Sequence, residues 1–140
     1  MDTSNKSPFI SLNKKKLRSK IRAQRRAISP RQQAKASKKL HKHLEQSLIL
    51  LRAKHIALYI GADGEICPKA LIPSYFARKK KLYLPVLHPI KKNHMVFCPI
   101  TSSTKLKKNR FGILEPVFKQ SVTMTPSLLS LVLLPLVAFD

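Results

Sequence analysis

His55-Ile56-Ala57-Leu58-Tyr59-Ile60-Gly61-Ala62-Asp63-Gly64-Glu65-Ile66 decides the fold class. Its first six residues form a short, nearly continuous apolar segment, the pattern of a strand covered on both faces. Gly61-Ala62-Asp63-Gly64 then reads as a turn. Upstream, Lys14 to Ile28 reads as a helix with Leu17, Ile21 and Ile28 along one face and basic residues elsewhere. Ser29-Pro30-Arg31-Gln32 follows: a serine cap, a proline at the first helical position and a glutamine three residues on, which together make a capping box. This second helix runs to about Ser47, with Ala34, Leu40, Leu44 and Leu48 facing inward.

Downstream, Pro68 opens a third helix through Ala77, which Pro73 should bend or shorten. Leu82-Tyr83-Leu84-Pro85-Val86 and Met95-Val96-Phe97 read as strands. Gly112 to Pro116 reads as an extended loop, and Leu128 to Ala138 as a last, buried strand. Helices alternating with buried strands predict an α/β fold, a mainly parallel sheet flanked by helices. No repeat, low-complexity stretch or linker divides the chain, so residues 1–140 are expected to form one domain.

The chain has 140 residues and 44% hydrophobic content, enough for a core, but only 3 Gly against 10 Pro. Few glycines is odd for a complete nucleotide-binding domain, because glycine lets backbone approach phosphate closely. Net charge is +22, from 28 Lys+Arg against 6 Asp+Glu. Such a field attracts nucleic acid, phosphorylated cofactors and polycarboxylates. A basic, solvated surface would look the same, so charge alone names no partner. Cys67 and Cys98 lie far apart and outside any Cys-x-x-Cys pair, which fits buried thiols in a reducing cytoplasm. Met1 to Pro8 lacks the apolar centre of a signal peptide. The longest apolar run, Leu128 to Phe139, is broken by Ser130 and Pro135 and falls short of the roughly 20 residues that span a bilayer.

Two segments invite chemistry. Lys14-Lys15-Lys16-Leu17-Arg18, continued by Arg22, Arg25 and Arg26, is a cationic helix face. Lys14 and Arg18 are four apart, so they point the same way and could clamp a polyphosphate. An exposed, merely basic helix fits the same residues, and so does a helix gripping nucleic acid. The last reading suffers because no aromatic residue lies between Ser11 and His55 to stack on bases. In Gly61-Ala62-Asp63-Gly64-Glu65-Ile66 a carboxylate just beyond a strand could accept from the donor edge of a heterocycle or help bind a metal. Alternatively Asp63 and Gly64 make a turn and Glu65 caps the next helix. The five histidines (His41, His43, His55, His88, His94) show no metal-ligand spacing, and no metal ligands are assigned. No Ser/His/Asp arrangement can be argued, so catalytic residues stay unassigned. Gly112 in Phe111-Gly112-Ile113-Leu114-Glu115-Pro116 suits a tight turn.

Taken in order, these segments resemble the 5-formyltetrahydrofolate cyclo-ligase (methenyltetrahydrofolate synthetase) family. The match runs from Lys14-x-x-Leu17-Arg18 through Tyr59 to Gly64-Glu65-Ile66, then Leu84-Pro85-Val86 and Met95-x-Phe97. Arg110-Phe111-Gly112-Ile113-x-Glu115-Pro116 and Leu134-Pro135-Leu136-Val137-Ala138-Phe139-Asp140 complete it. The resemblance implies an ATP- and Mg2+-dependent cytoplasmic ligase, in which ATP phosphorylates the formyl oxygen of 5-formyltetrahydrofolate. The neighbouring folate nitrogen then attacks the activated carbon, phosphate leaves, and 5,10-methenyltetrahydrofolate results. By position, Lys14, Lys15, Lys16, Leu17 and Arg18 match the ATP-contacting segment. Ile60 and Glu65 match the folate-contacting positions, with Glu65 facing the pterin's donor edge.

The family continues beyond the Ala-Phe-Asp strand into an Arg-Leu-Gly, glycine-rich, Tyr-Tyr-Asp segment that wraps the ATP phosphates and supplies a metal ligand. Ligands of open α/β sheets sit outside the carboxyl ends of the strands, and here that loop would begin after Asp140. The chain is therefore expected to be incomplete at its C-terminus, and inactive and poorly soluble on its own. A complete form is expected to be a monomer with a small-molecule substrate and no membrane or nucleic-acid partner. The rival reading, carried by charge alone, is a small basic nucleic-acid-binding protein.

Overall fold

The computed structural model describes residues 8–117 and 123–137. Its centre is a four-stranded sheet in which residues 95–100, 81–87, 55–57 and 131–132 lie side by side in that order. Strand β1 (His55–Ala57) lies parallel to β2 (Lys81–Leu87) and to β6 (Leu131–Val132), while β3 (Met95–Ile100) runs antiparallel to β2. The predicted mainly parallel α/β sheet with flanking helices is thus present. A parallel pair needs a crossover. Here it is a 3-10 turn, Pro68–Leu71, followed by a short helix, α4 (Ile72–Ala77). Pro73 divides the predicted single helix in two: it falls in the first turn of α4, where its missing N–H costs nothing.

Helix α1 spans Pro8–Arg26, α2 Pro30–Gln46 and α3 Leu48–Arg52. The capping box is formed as read: the Gln32 backbone N–H donates to Ser29 Oγ, and the Ser29 backbone N–H donates to Gln32 Oε1. The core joins Leu50, Ile56, Leu58, Leu71, Tyr75, Leu82 and Leu84, with Leu44 and Ile60 packed on it. Ala34 and Leu48, expected inside, are exposed. Leu48 begins α3, whose inward residue is Leu50 instead.

Three further expectations change. The first strand stops early: beyond Ala57 only the Leu58 N–H still bonds across to β2, at the Tyr83 carbonyl, leaving residues 59–67 as a loop. The Gly112 region is a hairpin, β4 (Leu106–Lys108) against β5 (Leu114–Pro116), rather than an extended loop. Asn109 organises its turn, its Oδ1 accepting from the N–H groups of Phe111 and Ile113 while Gly112 takes φ +75°. Finally, the last apolar run is neither long nor buried as a strand. Leu128 closes a 3-10 turn begun at Pro126, β6 is two residues long, and Leu134 and Leu136 are exposed. Pro135 has no N–H for a ladder. The terminal carboxylate, Asp140, lies outside the described residues.

Candidate functional site

The loop leaves the carboxyl end of β1, where an α/β sheet places its ligands. Ala62-Asp63-Gly64-Glu65 is a tight turn closed by the Glu65 N–H on the Ala62 carbonyl (3.0 Å). Its central residues both have positive φ, +52° at Asp63 and +76° at Gly64. Aspartate and glycine are among the residues that tolerate this. Glu65 does not cap the next helix; its Oε2 accepts from the Ala62 N–H (3.2 Å) and so braces its own turn. Cys67 stands at the N-cap of the following 3-10 turn, and its Sγ accepts from the Gly61 N–H at 3.2 Å. Tyr59 Oη donates to the Ile66 carbonyl (2.7 Å), and burial first, then the nearby Glu65 charge, raises its pKa.

The C-terminal turn of α1 closes over this loop. Arg22 Nε donates to Asp63 Oδ2 (2.8 Å), and Arg25 donates to the same oxygen (3.1 Å) and to the Asp63 carbonyl (3.0 Å). Arg26 Nε takes the other carboxylate oxygen, Oδ1. Arg25 also reaches Glu65, with Nη1 3.5 Å from Oε1. These guanidiniums, Arg26 and Arg22 foremost, hold the Asp63 carboxyl well below the usual carboxylate range. From α2, the Gln33 amide donates to the Gly64 carbonyl. Beside this joint lies a depression of about 450 Å³ lined by Arg26, Ile28, Pro30, Gln33, Asp63 and Gly64.

Residues 10–140 match the 5-formyltetrahydrofolate cyclo-ligase family. The chain belongs to that family. It is 38% identical over 127 residues to the 5-formyltetrahydrofolate cyclo-ligase of Haemophilus influenzae, covering 91% of this chain and 68% of that one. The enzyme of the same name from Escherichia coli K12 is 32% identical over 120 residues, 86% of this chain and 66% of its own length. The NMR structure of Aquifex aeolicus 5,10-methenyltetrahydrofolate synthetase superposes with a TM-score of 0.77 at 28% identity, covering 91% of this chain and 62% of that one. The chain therefore spans about two thirds of the length of these relatives. Nothing in these likenesses favours a nucleic-acid-binding protein.

For this cyclo-ligase family member the predicted residues divide into two groups. Lys14, Lys15, Lys16, Leu17 and Arg18 all lie on α1, exposed, and Leu17 faces solvent at 57% exposure rather than a core. None of the four cations makes an ion pair among the described residues. Ile60 and Glu65 lie on the loop, Ile60 half-buried against the core and Glu65 engaged by Ala62 and Arg25. Sequence reasoning missed the arginine clamp between the two groups. Its signal was present: Lys14, Arg18, Arg22 and Arg25 follow at intervals of four, four and three, one helix face.

Other clusters are less suited to this chemistry. Among the described residues no three His, Cys, Asp or Glu side chains could hold a metal ion. His41 Nε2 pairs with Glu45 Oε2 (3.2 Å) one helical turn on, a spacing the sequence reading passed over. Glu115, buried on β5, accepts from Asn109 Nδ2 (3.0 Å) and so braces the hairpin. At the opposite end of the parallel strands, a cleft of about 430 Å³ is lined by Arg52, Lys54, His55 and Arg78 to Lys81 among others. There Lys80 Nζ donates to the Leu51 and Ala53 carbonyls (2.9 and 2.6 Å), closing the end of α3, and burial lowers its pKa.

Proposed function

We propose that this chain carries the ATP- and folate-binding face of a ligase that closes 5-formyltetrahydrofolate to 5,10-methenyltetrahydrofolate. The observation that carries the reading is the position of Arg25. It touches both Asp63 and Glu65, so the phosphate-seeking helix and the heterocycle-seeking carboxylate meet at one place. Lys14, Lys15, Lys16 and Arg18 bind and orient the triphosphate through charge-assisted contacts, with Leu17 between them. Glu65 accepts from the pterin's donor edge with whatever lone pairs the turn leaves unused, and Ile60 offers the ring an apolar contact. ATP supplies the activation that makes the formyl oxygen a leaving group.

Mg2+ would arrive on the ATP phosphates, since the described residues offer no cluster to hold it alone. Both cysteines are free thiols, which supports a reducing, cytoplasmic setting, and no described helix is long and apolar enough to cross a membrane. A single domain acting as a monomer completes the reading.

Calorimetric titration tests it. The chain should bind ATP and 5-formyltetrahydrofolate, each without displacing the other. Binding of a single-stranded RNA oligomer with no response to either small molecule would overturn it in favour of the nucleic-acid alternative.

A further inference from the structure

Over its described side chains, residues 13–26, helix α1 is attached to the rest of the molecule by charge rather than by an apolar stripe. A surface helix ordinarily docks through hydrophobic residues at helical spacing. From Asn13 to Arg26, however, only Ile21 and Arg25 are half-buried, and every other side chain is exposed. What holds this stretch of the helix is chiefly one carboxylate, Asp63, gripped by Arg22, Arg25 and Arg26, with Arg25 also reaching Glu65. The loop is shaped to receive it. A Cβ on Gly64 would lie 3.2 Å from the Arg25 carbonyl oxygen, so the turn abuts the helix end with no side chain between. A single exposed ion pair contributes little, but several cations on one acid form a network. Among the described side chains of α1, residues 13–26, only Ile21 offers a half-buried apolar contact beside it.

The same geometry sets the direction of the rest of the helix. At 100° per residue Lys14, Arg18, Arg22 and Arg25 fall within an arc of about 80°. Arg18 lies about 6 Å and Lys14 about 12 Å along the axis from Arg22. Fixing Arg22 and Arg25 on Asp63 therefore fixes where Lys14 and Arg18 point.

We propose that Asp63 is a positioning residue, whose grip on the three arginines aims the Lys14–Arg18 segment at the loop that holds Glu65 and so couples anion binding on α1 to folate binding on the loop. This rests on the reading of Lys14–Arg18 as the ATP-contacting segment. Asp63 itself touches neither ligand, because its carboxylate is taken up by guanidiniums.

Asparagine tolerates positive φ as aspartate does, so Asp63→Asn keeps the turn and removes the charge. Arg22→Gln/Arg26→Gln loosens the clamp from the other side and leaves the loop untouched. Hydrogen exchange without ligand should show the amides of residues 14–26 losing protection in both variants, while those of β1 and β2 keep theirs. ATP affinity should fall roughly tenfold in Asp63→Asn, the scale of one lost charge-assisted interaction. Affinity for 5-formyltetrahydrofolate alone should move far less; the coupling predicts that this folate tightens ATP binding in the wild-type chain and no longer does so in Asp63→Asn.

Undiminished protection of α1 in both variants would overturn the proposal, and so would equal loss of protection in β1 and β2. A wild-type chain that binds no ATP while α1 loosens selectively in both variants would overturn the ATP reading and leave Asp63 as the residue that positions the helix.

Discussion

The sheet and the first helix are held to the molecule by opposite physics. Ile56, Leu82 and Leu84 on β1 and β2 are almost fully buried, and their attachment is hydrophobic, non-directional and not screened by salt as charge contacts are. Helix α1 exposes Leu17 and hangs on arginine–carboxylate contacts at its last turn. A buried strand must stay where it is for the fold to exist. A helix held by charge can be placed, and displaced, without unfolding anything else. The helix proposed to meet phosphate is therefore the part whose position depends on ionic conditions.

That contrast can be broken from the core side with the largest effect. Ile56→Ala should destabilise the fold by about 2–5 kcal/mol, the cost of a cavity at a fully buried site, read as a lowered denaturation midpoint. Below the transition, the exchange pattern of α1 should be unchanged.

Gly64→Ala comes next. It forces a side chain into positive φ and places a Cβ against Arg25, strain of about 1–3 kcal/mol. The stress should fall on the joint, so that α1 loses protection before the sheet does. Equal softening of both regions would erase the distinction.

The smallest effect sharpens the comparison through pH. Asp63's carboxyl is held well below its usual range by Arg26 and Arg22. Its contribution is thus present above the unfolded carboxylate pKa, about 3.9, and is lost only as pH falls through the depressed folded value. Amide chemical shifts of α1 should stay constant from neutral pH down to about 4. A titration of those shifts centred on the ordinary carboxylate range would mean that the arginines do not hold Asp63 as described.

The legible parts of the sequence were those governed by local chemistry. Ser29, Pro30 and Gln32 specify a helix start by themselves, and the apolar run from His55 marks a buried strand whatever surrounds it. Asp63-Gly64 announced its turn because few residues tolerate two successive positive φ angles. Where context decides, the reading failed. The last apolar run looked like a buried strand, yet Pro126 and Pro135 and the shortness of its pairing with β1 leave most of it outside the ladder. The hairpin at Gly112 depends on Asn109, whose side chain satisfies the turn in a way no periodicity reveals. The site was legible as two separate pieces. Their meeting, through residues 37 to 41 positions apart, is a tertiary fact.

The most direct test of that meeting is calorimetry of ATP and of 5-formyltetrahydrofolate on two variants that each touch one piece. Arg18→Ala should weaken ATP binding by roughly 1.5–3 kcal/mol, the scale of a charge-assisted contact, and leave folate binding close to normal. Glu65→Gln should do the reverse, lowering folate affinity while ATP affinity and melting temperature hold. ATP affinity unchanged in Arg18→Ala, or a collapse of stability in Glu65→Gln, would contradict the account.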